Sequence, residues 1–204
     1  MNEADALFDA TTLVVNQKVK IIELHNEYAV RDADGNQVGA VRQVGQSTLK
    51  KIARFLGGLD QFFTHTLEVV DAAGTTRLKI VRPRKFMKSK VEVSDGAGQP
   101  VGRIVQQNVF GKINFALEDA AGDRIGSLNG QNWRAWNFTI TDGAGSEIAT
   151  ITKTWEGLAK TLFTTADNYR VERAMIPAEP LNSLVVASAL AVDTALKQDS
   201  RGLS

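Results

Sequence analysis

Apolar and polar residues alternate with a period of two along most of the chain, and the alternation breaks at five tetrapeptides of the form Asp-x-x-Gly. Tyr28 and Val30 lead into Asp32–Gly35, with Val38 and Val41 beyond it; Leu67 and Val69 lead into Asp71–Gly74, with Leu78 and Ile80 beyond. The pattern recurs around Asp95–Gly98 (Val91, Val93, Val101), Asp119–Gly122 (Phe115, Leu117, Ile125) and Asp142–Gly145 (Phe138, Ile140, Ile148). Such alternation marks half-buried strands. Asp first and Gly fourth suit a type I turn closed by a residue of positive φ, so each copy predicts one β-hairpin. The five Asp positions are spaced by 39, 24, 24 and 23 residues, a steady meander with one insertion. In that insertion, Ser47–Asp60, residues Leu49, Ile52, Ala53 and Leu56 form a helical stripe with Lys50, Lys51 and Arg54 behind it. Ser47 is the expected N-cap and Gly57-Gly58 the expected stop. Leu13–Val15 before the hairpins and Tyr169–Val171 after them bring the count to twelve strands.

An open sheet of that size would leave long unpaired edges, so closure is expected. A closed twelve-stranded barrel has a lumen wider than its own wall side chains fill. Leu181–Leu196 supplies the filling, being apolar nearly all round, with Pro180 expected in its first turn. At about 1.5 Å per residue this helix reaches about 24 Å, short of the roughly 30 Å core of a bilayer. It also carries Asn182, Ser183, Ser188 and Asp193, which are costly in lipid. The expected fold is therefore mainly β, a closed twelve-stranded antiparallel barrel enclosing a hydrophobic C-terminal α-helix. Residues 1–10 are expected as a flexible N-terminus, 11–197 as a single barrel domain and 198–204 as a flexible C-terminal tail.

Composition narrows the function. The 204 residues carry 24 Lys and Arg against 23 Asp and Glu, so no overall field favours nucleic acid and no such partner is expected. Without cysteine there are no disulfides, thiol nucleophiles or cysteine zinc sites, and His25 and His65 are the only imidazoles. No metalloprotease, nucleophile-elbow or phosphate-loop motif occurs, so neither enzyme activity nor a cofactor is expected. Met1–Ala10 is acidic and lacks an apolar run, as a cytoplasmic chain would be. One local feature breaks this neutrality. Arg77–Lys90 holds seven basic residues and no acidic one in fourteen positions. Such a strip adsorbs to anionic lipid head groups or is a solvated strand end paired with its neighbours.

Several stretches resemble the tubby C-terminal-like superfamily, most closely phospholipid scramblases and LURP-one-related proteins. Ile151-Thr152-Lys153-Thr154-Trp155-Glu156-Gly157, followed by Ala166-Asp167-Asn168-Tyr169, is similar to a run in the scramblases. Arg82-Pro83 after a basic strand and Val101-Gly102-Arg103-Ile104-Val105-Gln106 also look like family positions. The resemblance implies the same barrel and a peripheral seat at the inner face of the plasma membrane. It also implies that anionic phospholipid head groups are held by Lys79, Arg82, Arg84 and Lys85, with Lys88 on the same strip. The chain departs from the scramblases in three ways. It has no cysteine cluster after Arg82-Pro83 and no long Pro-rich N-terminal region. Thr165, Asp167 and Ile176 stand where the family's calcium segment carries acids, so no calcium is expected, because a hard cation needs several oxygen ligands.

Other local features have plainer readings. Trp133 and Trp136 suit a membrane interface or simply a strand. The basic face of the Ser47–Asp60 helix suits a membrane, and its narrow apolar stripe suits packing on the barrel. Asp32-Ala33-Asp34-Gly35 looks like the start of a calcium loop but lacks the twelfth-position Glu, so a turn is expected. Two functions remain. One is a scramblase-related, membrane-associated barrel that binds anionic phospholipids. The other is a soluble scaffold of LURP-one-related type that binds a protein partner or a small apolar ligand.

Overall fold

Five tight turns set the geometry. In each, the Gly amide donates to the Asp carbonyl and the Asp amide closes the hairpin onto the residue four positions on, as in Gly98 to Asp95 (3.0 Å) and Asp95 to Gln99 (2.9 Å). The fourth-position glycines have φ between +83° and +98°, the left-handed region where a Cβ is strained. The computed structural model describes residues 6–16, 27–44, 65–83, 90–108, 112–130, 137–154 and 168–199. The expected Ser47–Asp60 helix lies outside them.

After a one-turn helix α1 (Ala6–Asp9) come β1 (Thr12–Asn16), β2 (Glu27–Arg31), β3 (Gln37–Val44), β4 (His65–Asp71), β5 (Thr76–Arg82) and β6 (Lys90–Asp95). They are followed by β7 (Pro100–Gln106), β8 (Ile113–Asp119), β9 (Arg124–Gly130), β10 (Asn137–Asp142), β11 (Glu147–Thr154) and β12 (Asn168–Arg173). Each strand pairs antiparallel with its sequence neighbours, and β1 pairs with both β2 and β12, closing the barrel. The five Asp turns stand at one mouth. The strands are joined at the other mouth by 17–26, 45–64, 83–89, 107–112, 131–136 and 155–167.

Register converts alternation into a core. Val69 stands between Val41 and Leu78, and Leu117 between Ile104 and Gly126, so apolar residues line the inside in rings. A C-terminal helix α2 (Leu181–Asp199) runs into this lumen, with Leu184, Val185, Val186, Ala187, Ala189 and Leu190 all buried. It packs chiefly against β5 to β9 and α1. Gly102 must be small: a Cβ there would overlap the Glu118 carbonyl oxygen and stand 3.2 Å from Leu184 Cδ1. Burying each such Leu or Val contributes about 1.5–3 kcal/mol, which makes α2 a principal stabiliser of the barrel.

Three expectations change in detail. Residues 6–9 are not a flexible terminus, because α1 inserts Leu7 (1% exposed) and Phe8 into the core. Pro180 precedes the helix rather than opening it, and its carbonyl accepts from the Leu184 amide (3.2 Å). The helix continues to Asp199, three residues past the expected end.

Candidate functional site

The basic strip does not form one patch. Arg77 lies 5.5 Å above the Phe8 ring and 3.7 Å from an Asp71 carboxylate oxygen, at the turn mouth. Lys79 is half-buried on the outer face, in register with Glu68 and Ser94. Arg82 shares the inward parity of Leu78 and Ile80, and only 6% of it is exposed. Lys90 pairs with Glu92 at 2.8 Å. Arg84, Lys85 and Lys88 lie outside the described residues, in the segment that joins β5 to β6 at the mouth away from the Asp turns. The strip therefore climbs one hairpin from mouth to mouth. The burial of Arg82 was readable in principle, since strict alternation from Leu78 through Ile80 puts it inside.

The turn carboxylates are occupied by their own backbone. Asp32 Oδ1 accepts from the Asp34 and Asn36 amides (3.0 and 2.8 Å), and Oδ2 accepts from Asn36 Nδ2 (3.0 Å). The Asn36 side chain, with the surrounding amides, holds this carboxyl below its ordinary pKa. Asp95, Asp119 and Asp142 accept turn amides in the same way. Asp32–Gly35 is a turn rather than the start of a cation loop.

A second cation went unnoticed in the sequence. Arg173, at the end of β12, is 4% exposed beneath α1. Its Nη1 donates to the Phe8 carbonyl (2.8 Å) and Asn182 Oδ1 (2.7 Å), and its Nη2 donates to the carbonyls of Leu7 and Ala10. Asn182 returns Nδ2 to the same Phe8 carbonyl (3.1 Å). Burial pulls the guanidinium down to about 10, opposed by the charge of Asp9, so it stays cationic at neutral pH. This clamp ties α1, β12 and the start of α2 together and seals the turn mouth. The signal was again parity: Tyr169 and Val171 point inward, and so does Arg173. Beside the clamp lies an open cleft of about 910 Å³ among Phe8, Asp9, Arg77, Asp95, Glu179 and Asn182.

Of the family's calcium positions, Thr165 and Asp167 lie outside the described residues, and Ile176 is an exposed apolar side chain beyond β12. The outer wall of β8 to β10 carries a polar network. Asn114 Nδ2 donates to Asn129 Oδ1 (2.7 Å), Asn129 Nδ2 to Ser127 Oγ (3.0 Å), and Ser127 Oγ meets Thr141 Oγ1 (2.8 Å) across β8, β9 and β10. These side chains spend their hydrogen bonds on one another and join strands. Among the described residues no group of three or more His, Cys, Asp or Glu is placed to hold a metal ion.

A family model described as Scramblase matches residues 2–196 of the chain. No curated protein and no solved structure matches it.

Proposed function

The chain belongs to the Scramblase family, and from that premise we propose that it is a peripheral, membrane-associated barrel that binds anionic phospholipid head groups. The observation that carries this reading is Arg77–Lys90, an acid-free cationic stretch whose middle, with Arg84, Lys85 and Lys88, joins β5 to β6 at the mouth free of Asp turns. Each cation near an anionic surface is worth about 1 kcal/mol, so three or four give useful adsorption without a closed pocket. Lys79 adds to the field from the outer wall. Arg82, only 6% exposed at the end of β5, contributes less to that field than the exposed cations.

The side-chain pattern of β8 to β10 supports a seat on the bilayer rather than across it. Barrels that cross membranes face apolar side chains outward. Here Val69, Leu78, Leu117 and Ile140 face inward, while Asn114, Asn129, Thr139 and Thr141 line the outer wall. Among the described residues no helix is long and apolar enough to cross a membrane. With an apolar side chain at Ile176, the reading is one of lipid binding without calcium-triggered lipid transfer.

Co-sedimentation with vesicles tests it. Binding is expected to vesicles containing phosphatidylserine and not to phosphatidylcholine alone, weakening steeply once salt exceeds about 0.15 M, where the Debye length is about 8 Å. Equal binding to neutral vesicles, or none to either, contradicts the reading; the second outcome favours the soluble scaffold.

A further inference from the structure

Each of the five hairpins carries a β-bulge at the same place, six residues after its Asp. The bulged residue is Val38, Arg77, Val101, Ile125 or Ile148 in chain order. The residue after it, back in register, is Gly39, Leu78, Gly102, Gly126 or Ala149. Four hairpins therefore present a β-branched apolar residue and then a small one, and the hairpin of β4 and β5 presents Arg77 and Leu78 instead. The departure falls beside α1. Arg77 lies 5.5 Å above the Phe8 ring, and Phe8, Arg77 and Leu78 all line the open cleft of the turn mouth. Two further contacts hold the same short helix. Leu7 Cδ1 reaches within 3.4 Å of where a Cβ on Gly39 would stand, and Arg173 gathers the carbonyls of Leu7, Phe8 and Ala10.

We infer that α1 is a latch on the turn mouth: residues 6–9 leave their seat and return as a unit while the barrel stays closed, and Arg77 and Arg173 are the positioning residues that hold them. This holds whether or not the barrel binds lipid. A four-residue helix has little stability of its own, because isolated helices shorter than about 12–15 residues are marginal in water. Its conformation therefore depends on its seat. Release breaks no strand pairing, since β1 begins at Thr12 and pairs with β12 from there to Asn16. Leu7 and Phe8 are the large side chains that leave the core, whereas global unfolding exposes the whole lumen. Opening of α1 is accordingly the cheaper event. Both cations stand where the pattern of the wall calls for apolar side chains, Arg77 at a bulge and Arg173 at an inward position, and both engage α1. Opening uncovers Arg173 and its partner Asn182, so the latch controls access to the start of α2.

Native-state hydrogen exchange of the full chain, resolved amide by amide, tests the latch. The Ala10 amide, which donates to the Ala6 carbonyl (3.1 Å), reports on α1, and the amides of Ala116 and Leu117 in β8 report on the barrel. Ala10 is expected to be protected, but at least about a hundredfold less than the β8 amides, and its exchange should be insensitive to low urea while theirs accelerates. Arg77→Gln should speed Ala10 exchange about threefold, the scale of an exposed cation–π contact, and leave the β8 amides unchanged within about twofold. Arg77→Lys, which keeps the charge, should fall between the two. In a Phe8→Leu background the Arg77→Gln effect on Ala10 should shrink, because the ring it acts through is gone. Protection of Ala10 equal to that of β8 with the same urea dependence would make α1 an inseparable part of the barrel and overturn the latch. Complete lack of protection at Ala10 would overturn it too, by showing α1 unseated. An Ala10 rate unmoved by Arg77→Gln, or equal acceleration of the β8 amides, would overturn Arg77 as a positioning residue.

Discussion

The Asp32 carboxylate makes three hydrogen bonds within five residues, and its chemistry is correspondingly local. Because Asn36 holds its carboxyl below the ordinary 3.8, the stabilisation it provides is fully present above that value and is lost as pH falls through the lower folded pKa. Asn36→Ala should move the Asp32 carboxyl pKa back up in a carbon-detected NMR titration; an unmoved pKa would assign the shift elsewhere. Arg173 is the opposite case, with partners up to 166 residues away. Arg173→Met should cost about 3 kcal/mol in urea unfolding, since buried carbonyls and Asn182 lose their donor. Deleting residues 1–10 empties the same clamp, so the two changes together should cost less than their sum; strict additivity would show that α1 and Arg173 are independent. The difference between the residues also explains what the sequence displayed. Asp-x-x-Gly announces its own turn, whereas nothing near Arg173 names Leu7, Phe8 or Asn182 as partners.

Helix α2 is the element on which the barrel most depends. Its uniform apolarity revealed that it is buried, and its polar exceptions are met inside: Asn182 joins the Arg173 clamp, and Ser188 Oγ donates to the Leu184 carbonyl (2.7 Å). Its seat against β5 to β9 was not readable, because all twelve strands offer a similar alternating face. The small residues that admit it, such as Gly102 beside Leu184, gain meaning only once register is known. Truncation before Pro180 should yield insoluble or molten material that binds a hydrophobic dye and lacks near-ultraviolet dichroism. Leu184→Ala in the full chain should cost about 2–5 kcal/mol. A truncated chain that unfolds cooperatively as a monomer would show that the wall stands without its core helix.

At the scale of the molecule, the repeat puts every Asp turn on one rim, and the acid-free strip meets the other rim between β5 and β6. The strip was visible as sequence, but its division was not: Arg77 and Lys90 pair with carboxylates, and Arg82 lies inside. Arg84, Lys85 and Lys88 therefore carry the proposal. The most direct measurement is vesicle co-sedimentation of the variant Arg84→Glu, Lys85→Glu, Lys88→Glu beside the unaltered protein, at about 0.15 M salt, where screening extends about 8 Å. With thermal unfolding unchanged, the variant should lose at least tenfold in affinity for phosphatidylserine-containing vesicles. Undiminished binding by a folded variant would contradict the account.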